Sequence, residues 1–298
     1  MTLPQRALGD LLISAVGVGC MPMSFPGMLD KREQAIATLH RALDLGVTLI
    51  DTANIYAPSA NDIGHNEMLV AEALRTYAGS ADLSTVLVAS KGGITRESGG
   101  IFGSDSNPAA LRAACEKSLV CLDVSQIQLY QHHRPDPELD YADQMRTLLS
   151  LKEAGLVARI GLSNASKEQI DIAIDILGGP KDNGVVSVQN QYSPRFRRHR
   201  DALDHCSDLG IAYLPWSPLG GSNEASEVGS KYKDFAEVGE QVGATAQETT
   251  LAWLLAMSPV VIPIPGATKP ATVDSIVKSA TVELSAAQQA RLDATTPA

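Results

Sequence analysis

The sequence predicts an α/β fold, a closed (β/α)8 or TIM barrel with a short N-terminal β-hairpin and extra helices between strands seven and eight. Short apolar runs alternate with amphipathic stretches along the chain, and this rhythm is typical of a parallel sheet. A barrel of this kind often has about 250 residues in one unit. We therefore predict a single domain over residues 1–298. The eight strand candidates lie near Val16, Val47, Val86, Ile127, Val157, Val185, Ile211 and Val260.

The remaining elements follow from local signals. Leu8-Gly9-Asp10-Leu11-Leu12 predicts the hairpin that precedes the barrel. Asn107 and Pro108 form an N-cap and first-turn pair, and a glycine ends several helices just before the next strand. These glycines are Gly46, Gly155 and Gly210. Helical patterns run from Arg32 to Leu45, Glu67 to Tyr77, Pro108 to Cys121, Tyr141 to Ala154 and Lys167 to Leu177.

Two segments interrupt the alternation of strands and helices. Residues 92–107 are rich in Gly and Ser, and residues 220–231 precede two helical patterns rather than one. Because both segments follow strands, we expect mobile loops on the rim where the strands end. An open, doubly wound sheet has the same rhythm, and counting strands does not separate it from a barrel.

Charge and composition exclude several classes of function. The chain has 24 basic and 34 acidic residues and a formal net charge of −10, which disfavours binding to nucleic acid or anionic lipid. The cysteines form no C-x-x-C pair and the histidines show no metal-ligand spacing. No stretch is long and apolar enough to be a signal core or a membrane span. We expect a soluble, cytoplasmic protein that binds no metal, nucleic acid or membrane.

Ionisable residues stand at the ends of three successive strands. Asp51 and Tyr56 follow the second strand, Lys91 ends the third and His133 ends the fourth. Asp51, Lys91 and His133 have the parity that points into a barrel. Each has an ordinary interpretation when taken alone. Asp51 and Lys91 could form a solvated ion pair, Tyr56 could be a packing phenol and His133 a structural histidine. Their joint placement favours a proton-donating site.

The distance between Lys91 and Tyr56 determines how acidic the phenol is. A positive charge about 4 Å from a phenol, at an effective dielectric of 20, contributes roughly 4 kcal/mol, or about three pKa units. We therefore expect Lys91 to bring the pKa of Tyr56 close to neutrality, where a general acid works best.

The motifs of the chain, taken in order, resemble those of the aldo-keto reductases. The resemblance covers essentially the whole sequence and implies a barrel of eight strands and helices, an NADPH-type cofactor and reversible reduction of a small carbonyl substrate. It also implies a catalytic tetrad of Asp51, Tyr56, Lys91 and His133. The matching stretches are Gly46 to Tyr56, Gly64-His65-Asn66-Glu67, Ser90-Lys91-Gly92-Gly93, Tyr130 to Asp136, Gly161-Leu162-Ser163-Asn164 and Trp216-Ser217-Pro218-Leu219-Gly220.

By this resemblance, Tyr56 donates a proton while hydride passes to the carbonyl, and His133 helps to hold the carbonyl oxygen. Lys91 lowers the phenol pKa, and Asp51 orients Lys91. His132 departs from the family pattern, because an apolar residue more often precedes the catalytic histidine. We expect His132 to lie on the helix-facing side or behind the site.

The sequence has no dinucleotide fingerprint, since Pro22 stands where Gly17-Val18-Gly19-Cys20-Met21 would need a third glycine. The resemblance instead implies a cofactor extended across the barrel mouth, NADPH by preference with NADH as the alternative. Its expected neighbours are Gly19, Met21, Asp51, Ser163, Asn164, Gln189, Trp216, Ser217, Pro218, Leu219, Gly220, Gly266, Thr268, Lys269 and Thr272.

A helix that begins after Gly266 presents free amides and the positive end of its dipole, which suit a phosphate. We expect Thr268 and Lys269 to contact the 2'-phosphate of the cofactor. Thr272 stands where some family members have Arg, and Ile276 replaces an Asn that usually meets the adenine. These departures weaken the preference for NADPH over NADH.

Two other functions remain open at this stage. Potassium-channel β subunits share the fold of the aldo-keto reductases and have a Trp-Ser-Pro-Leu motif similar to that of this chain. The alternative hypothesis is therefore a non-catalytic NADP-binding regulatory subunit. A barrel aldolase with a Schiff base on Lys91 is the third hypothesis, but Asp51 would keep that amine charged. The sequence determines neither the carbonyl substrate nor the oligomeric state.

Overall fold

The computed structural model describes residues 3–96, 101–221 and 224–297. Its strands are β1 (Gln5–Leu8), β2 (Leu11–Ser14), β3 (Val18–Gly19), β4 (Leu49–Asp51), β5 (Leu87–Gly92), β6 (Ile94–Arg96), β7 (Phe102–Ser104), β8 (Leu129–His132), β9 (Ile160–Ser163), β10 (Val185–Gln189) and β11 (Ala212–Tyr213). Its α-helices are α1 (Arg32–Asp44), α2 (His65–Thr76), α3 (Pro108–Leu122), α4 (Tyr141–Glu153), α5 (Lys167–Leu177), α6 (Arg200–Leu209), α7 (Val228–Lys231), α8 (Lys233–Val242), α9 (Ala246–Met257), α10 (Pro270–Ser279) and α11 (Ala286–Ala294).

Seven strands form one parallel sheet in the order β11-β10-β9-β8-β5-β4-β3. Residues 260–266 close this sheet into a barrel, because parallel bridges pair Val261 with Tyr213 on one side and Gly266 with Gly19 on the other. The segment therefore takes the place of the eighth strand near Val260. The predicted barrel is confirmed.

Prolines explain why the eighth strand is irregular. The amides of Ile262 and Ile264 donate to the carbonyls of Tyr213 (2.8 Å) and Pro215 (3.4 Å). On the opposite edge, Pro263 and Pro265 accept from the amides of Gly17 and Gly19 through their carbonyls (2.9 and 3.0 Å). A proline has no amide hydrogen to donate. The eighth strand therefore only accepts hydrogen bonds from β3 and its neighbour Gly17 at these two prolines, and part of the normal parallel ladder is missing along this seam between the first and last strands.

The hairpin of β1 and β2 closes the amino end of the barrel. Leu8 and Ile13 from this hairpin are 0% and 1% exposed and belong to the apolar cluster inside the barrel. Inward residues of the strands complete this cluster, which confirms the predicted parity. They include Leu49, Leu87, Ala89, Leu129, Val186, Ala212, Leu214, Ile262 and Ile264.

The predicted helices are present, with ends shifted by a few residues at most. Asn107 caps α3 by accepting the amide of Ala110 at 3.0 Å. Gly46, Gly155 and Gly210 have φ angles of 81°, 73° and 69°, which a glycine adopts without strain. Extra helices lie between β11 and the eighth strand, and α8 and α9 are the two predicted there. The short helix α7 lies within the segment 220–231, so the expectation of a loop is wrong for its residues.

The described part of the segment 92–107 contains regular secondary structure that the sequence does not predict. It contains an antiparallel hairpin in which Ile94 pairs with Ser104, Thr95 with Gly103 and Arg96 with Phe102. The expectation of a simple loop is therefore wrong for these residues, while residues 97–100 and 222–223 lie outside the described ranges. The mobility expected of both rim segments stays a prediction.

Within the described ranges, no helix is long and apolar enough to cross a membrane. The same residues include no group of three or more His, Cys, Asp or Glu side chains that could hold a metal ion.

Candidate active site

The fold brings the four predicted catalytic residues together at the carboxyl end of the barrel. Asp51 is the last residue of β4, and Tyr56 lies on the loop that follows it. Lys91 lies near the end of β5, and His133 follows β8 directly. Lys91, Asp51 and His133 are 0%, 3% and 8% exposed, and Tyr56 is half-buried.

The Lys91 ammonium is the centre of this group. Its Nζ donates to Asp51 Oδ2 at 2.7 Å, to the Thr52 carbonyl at 2.8 Å and to Tyr56 Oη at 3.2 Å. An ammonium has three donors, so all of them have partners. Lys91 is thereby fixed beside the phenol.

The second oxygen of Asp51 is held by two amides. Oδ1 accepts from Gln189 Nε2 at 2.8 Å and from Gln131 Nε2 at 3.2 Å, and Gln189 Nε2 also lies 3.2 Å from Gln131 Oε1. The sequence analysis missed Gln131, although it shares the inward parity of Asp51 and Lys91. Gln189, expected beside the cofactor, directs its side-chain amide at Asp51, and this contact was not predicted.

Burial acts on the pKa values of Lys91 and Tyr56 in opposite directions, although both values end above their ordinary ones. Burial alone lowers the pKa of Lys91, but the charge of Asp51 and the adjacent Tyr56 raise it above its ordinary value. Burial also raises the pKa of Tyr56, and this effect together with the charge of Asp51 outweighs the lowering by Lys91. The expectation that Lys91 brings the pKa of Tyr56 towards neutrality is therefore wrong for this arrangement of residues, because burial raises the phenol pKa and Asp51 offsets part of the field of Lys91.

His133 packs edge-on against the phenol, with ring centroids 5.8 Å apart and an interplanar angle of 81°. Burial and the positive charge of Lys91 hold the pKa of His133 well below its ordinary value. The imidazole is therefore neutral at physiological pH. Asn164 Nδ2 donates to the His133 carbonyl at 2.9 Å, which fixes the backbone behind the ring.

His132 lies on the other face of β8, as predicted. Its Nε2 is 2.9 Å from Ser106 Oγ, and its ring packs against Tyr141 with centroids 6.1 Å apart. It is 0% exposed and faces the helices rather than the tetrad.

The loop that carries Tyr56 is fixed by side chains that the sequence analysis did not identify. The side chain of Asn66 accepts from Thr52 Oγ1 at 2.7 Å and donates to the Cys20 carbonyl at 2.9 Å. Its backbone amide donates to the Tyr56 carbonyl at 3.2 Å. Arg96 donates to the carbonyls of Ala57 and Pro58. Asn66 lies in the Gly64-His65-Asn66-Glu67 motif, whereas no sequence signal marks Arg96.

The residues expected near a cofactor lie along the same rim. Ser163 ends β9, Gln189 ends β10, and the stretch Trp216, Ser217, Pro218, Leu219 and Gly220 follows β11. Asn164 and Ser217 have left-handed φ angles of 58° and 48°, which are uncommon for residues other than glycine. The backbone therefore adopts a left-handed conformation at two of the points where strands leave the barrel.

The seam of the barrel also reaches this rim. Met21 is 40% exposed there. A Cβ on Gly19 would lie 2.9 Å from the Ile264 carbonyl, and one on Gly266 would lie 2.7 Å from Pro22 Cγ. Both glycines are therefore required by close packing, whatever else they contact.

The start of α10 suits an anion. Lys269 is the N-cap residue and forms no side-chain cap, so its exposed side chain is available beside the positive end of the helix dipole. Thr268 is half-buried, and its carbonyl accepts from Gln34 Nε2 at 2.7 Å. Thr272 is half-buried, and Ile276 is 2% exposed in the core. An apolar side chain at Ile276 offers no hydrogen bond to a base.

Sequence comparison places these features in a family. The model of the aldo/keto reductase family matches residues 16–296. An uncharacterised oxidoreductase of Schizosaccharomyces pombe is 32% identical over 289 residues, which cover 96% of this chain and 88% of that protein. A probable aldo-keto reductase of Glycine max is 29% identical over 300 residues, covering 92% of this chain and 82% of that protein.

Solved structures share the fold. A glycerol dehydrogenase from Gluconobacter oxydans has a TM-score of 0.80 at 24% identity, with 97% of this chain and 94% of that chain covered. An aldo/keto reductase from Klebsiella pneumoniae, solved in complex with NADP and acetate, has a TM-score of 0.80 at 23% identity, with 98% and 95% covered.

Proposed function

Because the chain belongs to the aldo/keto reductase family, we propose that it is an NADPH-dependent oxidoreductase that reduces aldehydes or ketones to alcohols. One observation supports this function above all others. Tyr56 Oη lies 3.2 Å from Lys91 Nζ, which is itself paired with Asp51 at 2.7 Å in a buried site. This arrangement holds a protonated phenol beside a fixed positive charge.

Tyr56 is the proposed general acid. Its raised pKa keeps the phenol protonated at neutral pH, and an alkoxide formed from a carbonyl is much more basic than a phenolate. When hydride adds to the carbonyl carbon, the oxygen gains negative charge and takes the proton of Tyr56. The phenolate that remains is stabilised by the Lys91 ammonium, which Asp51 holds in place.

His133 is proposed to position the carbonyl oxygen. Its Nδ1 is buried with no hydrogen-bond partner among the described residues, so Nε2 is the ring nitrogen that can reach a substrate. A neutral imidazole can donate one hydrogen bond. Nε2 would carry that proton and direct it at the oxygen that Tyr56 protonates.

NADPH is the proposed cofactor and supplies the hydride. Two Klebsiella pneumoniae structures of the same fold are complexes with NADP and NADPH. In this chain, Ser163, Asn164 and Trp216 would surround the nicotinamide, and Ser217, Pro218, Leu219 and Gly220 would follow the pyrophosphate. The uncapped start of α10 with Lys269 fits a phosphate. Thr268 and Thr272 would border the same group.

A direct assay tests the function. The purified chain is mixed with NADPH or NADH and a panel of small and bulky aldehydes and ketones, and absorbance and fluorescence report oxidation and binding. We expect oxidation of NADPH that depends on the carbonyl. Binding without turnover of any carbonyl would instead favour the non-catalytic regulatory subunit. Trapping of substrate on Lys91 by borohydride would favour the aldolase, although its close pairing with Asp51 opposes that chemistry.

A further inference from the structure

Ser106 links two separate parts of the carboxyl rim. It lies in the segment between β7 and α3 and is 1% exposed. Its Oγ lies 2.9 Å from His132 Nε2, and its amide donates to Asp136 Oδ2 at 3.0 Å. A single buried serine thus contacts two residues of the β8 exit, one through its side chain and one through its backbone.

These two contacts flank the proposed substrate-positioning histidine. His132 directly precedes His133 in the sequence, and Asp136 follows it by three positions. The His133 amide donates to the Gly92 carbonyl at 2.9 Å, and the Asp105 amide donates to the Gly93 carbonyl at 2.9 Å. The segment that leaves β5 therefore returns to the same place, and Ser106 fixes it to both sides of His133.

Asp136 is itself held rigidly. Its amide donates to Gln144 Oε1 at 2.9 Å, and Gln144 Nε2 donates back to the Asp136 carbonyl at 2.9 Å. Asp136 Oδ1 accepts the amide of Glu138 at 3.0 Å. Gln144 is 1% exposed, so the anchor rests on helix α4 rather than on solvated side chains.

The hairpin of β6 and β7 connects this anchor to the loop that carries Tyr56. Ile94 of β6 packs in a small apolar cluster with Ala53, Ile55 and Tyr56. Arg96 Nη2, at the end of β6, donates to the Pro58 carbonyl at 2.8 Å. The hairpin therefore contacts the Tyr56 loop, while Ser106 fixes its base beside His133.

We propose that His132, Ser106 and Asp136 form a latch that holds His133 and the Tyr56 loop in a fixed relation, and that His132 is a positioning residue for carbonyl reduction. This inference rests on the proposed function. It gives a role to the histidine that stands where the family pattern more often has an apolar residue. His132 acts through Ser106 and does not contact the reacting atoms.

The bond between His132 and Ser106 joins two neutral groups. Burial lowers the pKa of His132 to about 4, although nearby Asp136 opposes that shift. The imidazole therefore exchanges a hydrogen bond with Ser106 as an uncharged group at neutral pH. Tyr141 and His133 are the other titratable groups in contact with it or adjacent to it.

Two substitutions test the latch. His132→Leu provides the apolar side chain of the family pattern and removes the bond to Ser106, whereas His132→Gln keeps a side-chain amide able to reach it. His40→Leu is the matched control, because it removes a histidine bond to the Ala73 carbonyl (2.8 Å) between α1 and α2. Hydrogen exchange of the Asp105 and Ser106 amides is measured in each protein, together with kcat, KM and the Kd of NADPH.

In His132→Leu we expect exchange at Asp105 and Ser106 to be about tenfold faster and kcat to fall about tenfold, since one buried hydrogen bond is lost. The Kd of NADPH should not change, and His132→Gln should restore most of both losses. His40→Leu should match the wild type in exchange at these amides and in kcat.

Unchanged exchange in His132→Leu would overturn the latch. Faster exchange with unchanged kcat would overturn the positioning role. A wild-type chain that turns over no carbonyl would refute the proposed function instead, and the exchange data would still decide whether the latch exists.

Discussion

The two ends of the barrel are built from different chemistry. At the amino end, Leu8 and Ile13 of the hairpin are buried against apolar strand residues. At the carboxyl end, Lys91, Asp51 and His133 are buried almost as completely. The depth of burial is therefore similar, but the barrel interior is apolar at the amino end and holds a buried ion pair at the carboxyl end.

The difference shows how one scaffold separates stability from chemistry. Burial of apolar area at the amino end stabilises the fold directly. The buried ion pair at the carboxyl end costs desolvation energy that only good geometry and extra hydrogen bonds offset, and here Thr52, Gln131 and Gln189 supply those bonds.

The hairpin is also attached to the barrel by an arginine. Arg6 donates to the carbonyls of Leu255 and Ser258 at 2.6 Å each, just where α9 ends and the eighth strand begins. Carbonyls at a helix end have no partner within the helix. Arg6 therefore satisfies them and fixes the hairpin to the seam of the barrel.

The largest expected effect is at the carboxyl end. Tyr56→Phe removes the phenol proton and leaves the ring, so kcat should fall by about 10³. The Kd of NADPH should remain close to the wild-type value. The free energy of unfolding should fall by about 1 kcal/mol, because the buried Lys91 ammonium loses one of its three hydrogen-bond partners. Single-turnover rates measure the loss of activity, NADPH fluorescence measures the Kd, and urea unfolding measures the free energy of unfolding. A variant with substantial remaining turnover would rule out Tyr56 as the acid.

The second effect is at the amino end, where a substitution should reduce stability and leave kcat nearly unchanged. Leu8→Ala creates a cavity in the barrel interior, and the free energy of unfolding should fall by about 2–5 kcal/mol. Because the site lies at the other end, kcat at a temperature where the variant is folded should stay within about twofold of the wild type. A parallel loss of kcat would show that the two ends are coupled.

The pH dependence of the free energy of unfolding should come from the carboxyl end, where His132 and His133 are buried, and not from the apolar amino end. The pKa of His132 is about 4 and that of His133 is well below its ordinary value, so below the ordinary value of about 6.5 the unfolded state binds more protons than the folded state. Stability should therefore fall with decreasing pH, by about 1 kcal/mol per pH unit for each histidine.

Urea unfolding between pH 7 and 5 measures this slope. His132→Leu should reduce the slope by the contribution of one histidine, and Leu8→Ala should lower stability equally at each pH. Equal slopes in the wild type and His132→Leu would contradict the buried, neutral state of His132.

The smallest effect concerns the cofactor. Lys269→Met removes an exposed charge at the start of α10, and the Kd of NADPH should rise by about tenfold at low salt. The Kd of NADH should not change, because NADH lacks the 2'-phosphate. Lys278→Met, at the other end of the same helix, is the control. Equal weakening of NADH would place Lys269 away from that phosphate.

Much of this protein follows from its sequence alone. The strand and helix periods predicted a parallel α/β sheet and favoured a barrel, which the family resemblance also implied. Strand parity placed Asp51, Lys91 and His133 on one inner face. Local caps such as Asn107 and the helix-ending glycines were also evident, because they depend on neighbouring residues only. The β6–β7 hairpin was missed since its strands have three residues each and lie in a Gly-rich segment without periodicity.

Tertiary structure alone decided how the site is supported. Gln189 reaches Asp51 across 138 positions of the chain, and no local pattern encodes such a contact. The acidity of Tyr56 likewise depends on burial and on the balance between Lys91 and Asp51, which only distances determine. The sequence by itself determined which groups reach the carboxyl end, because side-chain direction follows strand period. Their partners and pKa values were set by packing, because desolvation and charge act through space rather than along the chain.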